Sequence, residues 1–105
     1  MSSPADDEQG VVAVPWYRPS QWDRLREISV DGARELGESY NQWHAFATRR
    51  LNELRRGGRQ VEKVAIDVEE LLQWCKQHER LADAGARAEF AAAKLEEKYR
   101  RGQQG

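Results

Sequence analysis

With one cysteine in 105 residues, the chain cannot close an internal disulfide, so packing and hydrogen bonds alone must hold it folded. That usage fits a reducing compartment. Long apolar runs are missing too. "VVAV" at 11–14 is far too short for a membrane span or the core of a signal peptide. "MSSPADDEQG" before it is acidic, the opposite of a secretory leader. The expectation is a cytoplasmic protein without a membrane partner. Charge of one sign is lacking as well: 17 basic against 18 acidic residues leave a net charge of −1, and no global field draws the chain to nucleic acid.

Recognisable chemistry is equally scarce. Phosphate loops, dinucleotide-binding glycines, zinc-protease motifs and nucleophile elbows are all absent, and no repeat of 20–50 residues is visible. The reading is therefore of a protein that is not an enzyme, with no catalytic residue, no cofactor and no metal.

Four tryptophans, three tyrosines and two phenylalanines are present, and they supply large units of buried area. A chain of this length buries ~65% of its unfolded surface and forms one domain. Residues 1–10 read as a disordered tail, 11–102 as a single helical domain and 103–105 as a second tail.

"VVAVPWYRP" reads as an extended arm, because Pro15 and Pro19 each disfavour helix at the residue before them. A short helix begins at Pro19 or Ser20, carries Trp22, Leu25 and Ile28 on one side, and stops at "DG", residues 31–32. Leu36, Tyr40, Trp43, Ala47, Leu51 and Leu54 then recur at steps of three and four, widened by His44 and Phe46. Gly37 is awkward inside this stripe, and Ser39 with Gln42 offers a capping box for a fresh helix. Because the stripe keeps phase through Gly37, one helix from about Ala33 to Arg56 is the preferred reading, ended by Gly57-Gly58. "QVEKVAID" alternates and reads as a short strand able to pair with "VVAV".

Asp67 caps a third helix, with Glu70 as its partner three residues on and Val68, Leu71, Leu72 and Cys75 on its apolar side. Asp83 caps a fourth, in which Ala84, Ala88, Ala91, Leu95 and Tyr99 share a face and Phe90 lies at the edge. The fold class that follows is mainly α: a compact four-helix domain with an extended N-terminal arm and a short two-stranded ribbon.

Cys75 and His78 stand three positions apart on one helix face, a spacing that suits a shared metal. Two ligands make only half of a structural zinc site, and Cys75 continues the apolar stripe, so it reads as core. His44 has no serine or carboxylate at a motif spacing and reads as a half-exposed helical histidine. "DVEELLQWCKQHERLADAGARAEF" has the outline of a helix-turn-helix. Its second helix, however, would expose Arg87, Glu89, Lys94, Glu96 and Glu97, an excess of acid that repels phosphate.

Two surfaces remain. Trp16 and Tyr17 read first as folding back onto the domain's own helices. If they stay exposed, Trp16, Tyr17, Trp22 and Phe46 are the candidate interface residues, since exposed aromatics anchor interfaces. The expectation is a homodimer closed over the long stripe; the competing account is that the arm with Trp16, Tyr17 and Trp22 folds over that stripe and completes a monomer. The alternative surface is Arg49, Arg50, Arg55 and Arg56, candidate phosphate contacts within residues 32–60, which hold six basic and three acidic side chains. Cations at a helix C-terminus also simply complement its dipole. The reading adopted is a protein-interaction or self-associating module, with a nucleic-acid-binding regulator as the alternative. The order "WYRPSQWDRL", "VAIDVEELLQWC", "ARAEFAAAKL" over residues 16–95 resembles small bacterial helical proteins that carry no assigned function. It implies no role for any residue.

Overall fold

"VVAVPW" and "QVEKVA" carry branched residues and form the two strands of the domain, β1 (Val11–Trp16) and β2 (Gln60–Ala65). A computed structural model describes residues 11–104; the expected tail at 1–10, and Gly105, lie outside the described residues. The ribbon is parallel, with Val11 opposite Gln60 and Trp16 opposite Ala65. Parallel pairing needs a long crossover, and three helices supply it here. Pro15 has no amide to donate, which a two-stranded sheet tolerates because both strands are edges.

A single 3₁₀ turn at Pro19–Gln21 leads into α1 (Trp22–Ile28). The crossover continues with α2 (Gly32–Leu36) and α3 (Tyr40–Arg56), and beyond β2 come α4 (Val68–Gln77) and α5 (Ala84–Gln104). The class is mainly α with a small ribbon, as expected. α5 runs past its expected end at Gly102.

The expected continuous helix from Ala33 to Arg56 is instead two helices, so five α-helices stand among the described residues. Gly37 takes φ +89° and ψ 179°, a conformation foreign to a helix and hard for any residue with a Cβ. Ser39 then starts α3: its Oγ accepts from the Gln42 amide at 3.1 Å, and Gln42 Oε1 accepts from the Glu38 amide at 2.6 Å. The stripe keeps phase across the break, since Leu36 and Trp43 are both buried. Phase reports a shared face, not an unbroken backbone.

The other caps are where the sequence puts them. Asp67 Oδ1 accepts from the amides of Glu69 and Glu70, and Asp83 Oδ1 accepts from that of Ala86. Gln21 reaches across 47 positions to accept from the Val68 amide at 3.3 Å, which joins the start of α1 to the start of α4. Gly58, at φ +84°, turns the chain out of α3 so that the Arg59 amide bonds back to Leu54 O at 3.0 Å.

One core unites these elements. Leu25, Leu71 and Val68 are the largest of its fully buried side chains, and Trp43 is its aromatic centre. Around the Trp43 ring stand Trp16 and Tyr17 at 5.1 Å, Tyr40 at 5.4 Å and Trp22 at 6.2 Å between centroids. Such edge and tilted contacts add about 0.5–1.5 kcal/mol per pair beyond the area buried. The arm thus folds over the stripe of α3. Tyr17 and Trp22 cover the stripe at Trp43, while Phe46 on its flank stays exposed.

The buried face of α5 also differs from the expected one. Ala86, Arg87, Phe90, Ala91 and Leu95 point inward, while Ala84, Ala88 and Tyr99 are exposed. Arg87, expected on the surface, lies at 4% exposure because Asp31 receives it.

Candidate interaction surface

α3 turns Ala47, Trp43 and Leu51 into the core, and its helical pitch then leaves Phe46 on the outer flank. Phe46 is 64% exposed. On one side it borders a cleft of about 520 Å³ against α2, lined by Leu36, Trp43 and Ala45, with Arg34 and Arg49 on its walls. On the other it borders a cleft of about 480 Å³ against α5, lined by Ala47, Ala84 and Ala88, with Val14 and Tyr17 from the arm and Arg50 on its wall. Glu35, Leu36 and Trp43 line both clefts, so the two are lobes of one groove divided by Phe46.

The four candidate interface residues therefore part company. Tyr17 and Trp22 are core side chains at 3% and 6% exposure: Tyr17 folds back onto the domain's own helices, and neither stands free as a contact residue. Burial also raises the Tyr17 phenol well above its usual pKa, although the Arg87 charge pulls it down. Trp16 is half-buried, wedged between Trp43 and His44 with Lys63 Nζ 4.3 Å above its ring. Only Phe46 is an exposed aromatic with room around it.

Arg49, Arg50, Arg55 and Arg56 are all exposed, and none has a carboxylate within ion-pair distance among the described residues. Arg49 and Arg50 flank the groove; Arg55 and Arg56 line neither lobe. Around one other cleft the charge is already matched. A third cleft, about 510 Å³ between α4 and α5, has Trp74 and Phe90 in its floor and acids on its rim. There Arg24 holds Glu69, Lys94 holds Glu70 and Arg101 holds Glu97.

Cys75 and His78 are separated by exposure. Cys75 is buried at 2%, and burial pushes its thiol pKa up, which keeps it protonated and unreactive. His78 is exposed and packs on Trp74, ring centroids 4.4 Å apart. Among the described residues no group of three or more His, Cys, Asp or Glu side chains is placed to hold a metal, and no helix is long and apolar enough to cross a membrane. His44 is exposed and packs against Trp16, Tyr40 and Trp43.

No protein-family model matches this chain, and no curated protein or solved structure matches it significantly. The groove must speak for itself. Sequence reasoning named Phe46, Arg49 and Arg50, but not Leu36, Ala84 or Ala88 as groove walls. Those come from separate helices, and no local spacing signals their meeting.

Proposed function

We propose that this chain is a small protein-interaction module rather than an enzyme, and that the groove divided by Phe46 is its contact surface. One observation carries the reading. A large aromatic side chain stands exposed between two clefts, whereas the other aromatics of that helix serve the core. Interfaces draw their affinity from such anchors and from pockets able to take the partner's own. The occupant is another protein or a second copy of the chain, giving a homodimer built on this groove and not on the stripe of α3. The free, buried Cys75 thiol fits work in the cytoplasm.

Photo-crosslinking tests this directly. Phe46 is replaced by a benzoylphenylalanine, and the same group is placed at Ala92, an exposed position outside the three clefts. Irradiation in the native host should give a discrete protein adduct from position 46 and none from 92. No adduct from 46, or equal adducts from both, defeats the reading.

A second reading has its own support. The arginines of α3, without an ion-pair partner among the described residues, could meet phosphate, which makes a nucleic-acid-binding regulator the alternative. Against it stand the net charge of −1 and Glu35 inside the groove.

A further inference from the structure

From the distribution of unpaired charge around the groove, we infer that its partner is an acidic peptide segment carrying a bulky apolar anchor. The inference rests on the interaction reading above and names the chemistry of what binds.

The floor of the groove is apolar: Leu36, Trp43, Ala47, Ala84 and Ala88, with Phe46 as the dividing wall. An aliphatic or aromatic side chain entering either lobe leaves water for that surface, which favours binding in proportion to the apolar area buried. The rim is cationic. Arg34, Arg49 and Arg50 line the lobes against a single exposed carboxylate, Glu35. Arg87 also lines one lobe, but its charge is spent on Asp31.

The cations of this rim have no ion-pair partner among the described residues and stand beside an apolar cleft, whereas other unpaired cations, Arg26 and Arg59 among them, line neither lobe. On α1 and α5, Arg24, Arg87, Lys94, Lys98, Arg100 and Arg101 all sit in ion pairs. Arg34, Arg49 and Arg50 have no such partner among the described residues. Arginine offers a planar fork of donors that suits carboxylates two at a time. Vacant forks around an apolar cleft thus describe a ligand with carboxylates flanking an apolar anchor. The Trp74–Phe90 cleft makes the opposite case, since its rim charges are already matched.

A nucleic acid fits this groove less well. The lobes are walled by leucine and alanine, Phe46 is the one exposed aromatic available for stacking, and Glu35 faces any phosphate.

The test is selection from a random phage-displayed peptide library against the full chain. The enriched peptides should combine Asp or Glu with a bulky apolar residue. A selected peptide, followed by fluorescence anisotropy, should lose at least about tenfold in affinity on Phe46→Ala. Combined Arg49→Glu and Arg50→Glu substitution should do the same, and added salt should weaken binding to the wild type. Combined Arg55→Glu and Arg56→Glu substitution, outside the groove, should leave affinity within about twofold. Circular dichroism on each variant separates loss of binding from loss of fold. Several results overturn the inference: no enrichment, enriched peptides lacking acid, or affinity untouched by Phe46→Ala. So does single-stranded DNA that displaces the peptide from the same residues at lower concentration. If only the Asp6→Asn, Asp7→Asn, Glu8→Gln variant selects peptides, the chain's own acidic segment is the occupant and an outside partner is refuted. A crosslink from position 46 together with any of these failures removes the acidic peptide and keeps the interaction module. Loss of both the crosslink and the peptides removes both.

Discussion

Arg87 donates to both carboxylate oxygens of Asp31 at 2.9 Å, across 56 positions of sequence, and both side chains are 5% exposed. Asp31 Oδ2 also accepts from the Ala84 amide at 2.8 Å, and Arg87 donates to Ser29 Oγ at 3.1 Å. One carboxylate thus ties the turn between α1 and α2 to the first turn of α5. A charge pair in this setting is costly to split, because either survivor is left buried without its partner. Asp31→Asn should therefore destabilise the domain by about 3–5 kcal/mol in urea unfolding, and pairing it with Arg87→Met should recover much of the loss. Recovery of nothing by the double substitution would mean that the two side chains are not coupled.

The same pair sets an acid limit. Burial raises the Asp31 carboxyl pKa, but the Arg87 bonds and charge and the Ala84 amide outweigh it, so the folded value lies below the ordinary one. A depressed folded pKa gives stability that is fully present above the unfolded value of ~3.9. It is lost as pH falls below that value toward the folded one. Wild-type stability should decline over that window more steeply than that of the double Asp31→Asn, Arg87→Met variant. Parallel acid profiles would contradict this.

Gly37 should resist substitution for a reason of backbone, not packing. At φ +89° and ψ 179° it holds the joint between α2 and α3, and a Cβ there would also stand 2.9 Å from Gln42 Oε1. The Gln42 side chain is able to move, whereas the backbone strain remains. Gly37→Ala should cost about 1–3 kcal/mol in thermal unfolding. A neutral result would show that α2 and α3 can fuse into the single helix that the stripe suggests.

Gly37 also marks how far local signals carry. Asp67, Asp83 and the Gly57-Gly58 stop were legible because each acts on neighbours within a few residues. The joint was misjudged because hydrophobic phase survives a break when both pieces serve one core. Arg87 was assigned to the surface because its partner is a "DG" aspartate that locally reads only as a turn. The inner face of α5 was misplaced because alanine at so many positions blurs the stripe, leaving Phe90 and its neighbours to decide it through tertiary contact. Parallel pairing of the ribbon depends on the crossover and leaves no mark in either strand. Of the groove, Phe46 and two arginines were visible, and its walls were not.

Trp43 should prove the most costly single truncation on α3. Its ring meets Trp16, Tyr17, Trp22 and Tyr40, so Trp43→Ala empties the centre of the cluster that fastens the arm. A loss of about 3–5 kcal/mol is expected. Against a total of ~5–15 kcal/mol for a domain this size, that approaches unfolding. Chemical denaturation measures it, and an unchanged midpoint would contradict the central packing of this ring.

Cys75 should behave as a core side chain. At 2% exposure, with its thiol pKa raised by burial, it should react slowly with a thiol reagent in the native chain and fully in denaturant. The purified protein should carry no stoichiometric zinc by elemental analysis. Rapid native labelling, or one metal per chain, would return Cys75 and His78 to the list of ligands.

The arginines of α3 decide between the two functional readings, and their expected behaviour follows from magnitudes. Arg49, Arg50, Arg55 and Arg56 are exposed and unpaired among the described residues, so each is open to a phosphate. Four such contacts on a chain of net charge −1 give a local attraction without a long-range field. Affinity for DNA or RNA should then stay at the non-specific level, roughly 10⁻⁴–10⁻⁶ M at physiological salt, and fall steeply as salt rises. Filter binding over a salt series measures both the level and the slope. Replacing all four arginines by glutamate should abolish this residual binding. The melting temperature should fall modestly, because Arg55 and Arg56 lie in the last turn of α3, where each cation complements the helix dipole by about 0.3–1 kcal/mol. Sub-micromolar binding that the four substitutions remove would instead make nucleic acid the ligand of this helix, and the regulator reading would replace the interaction module.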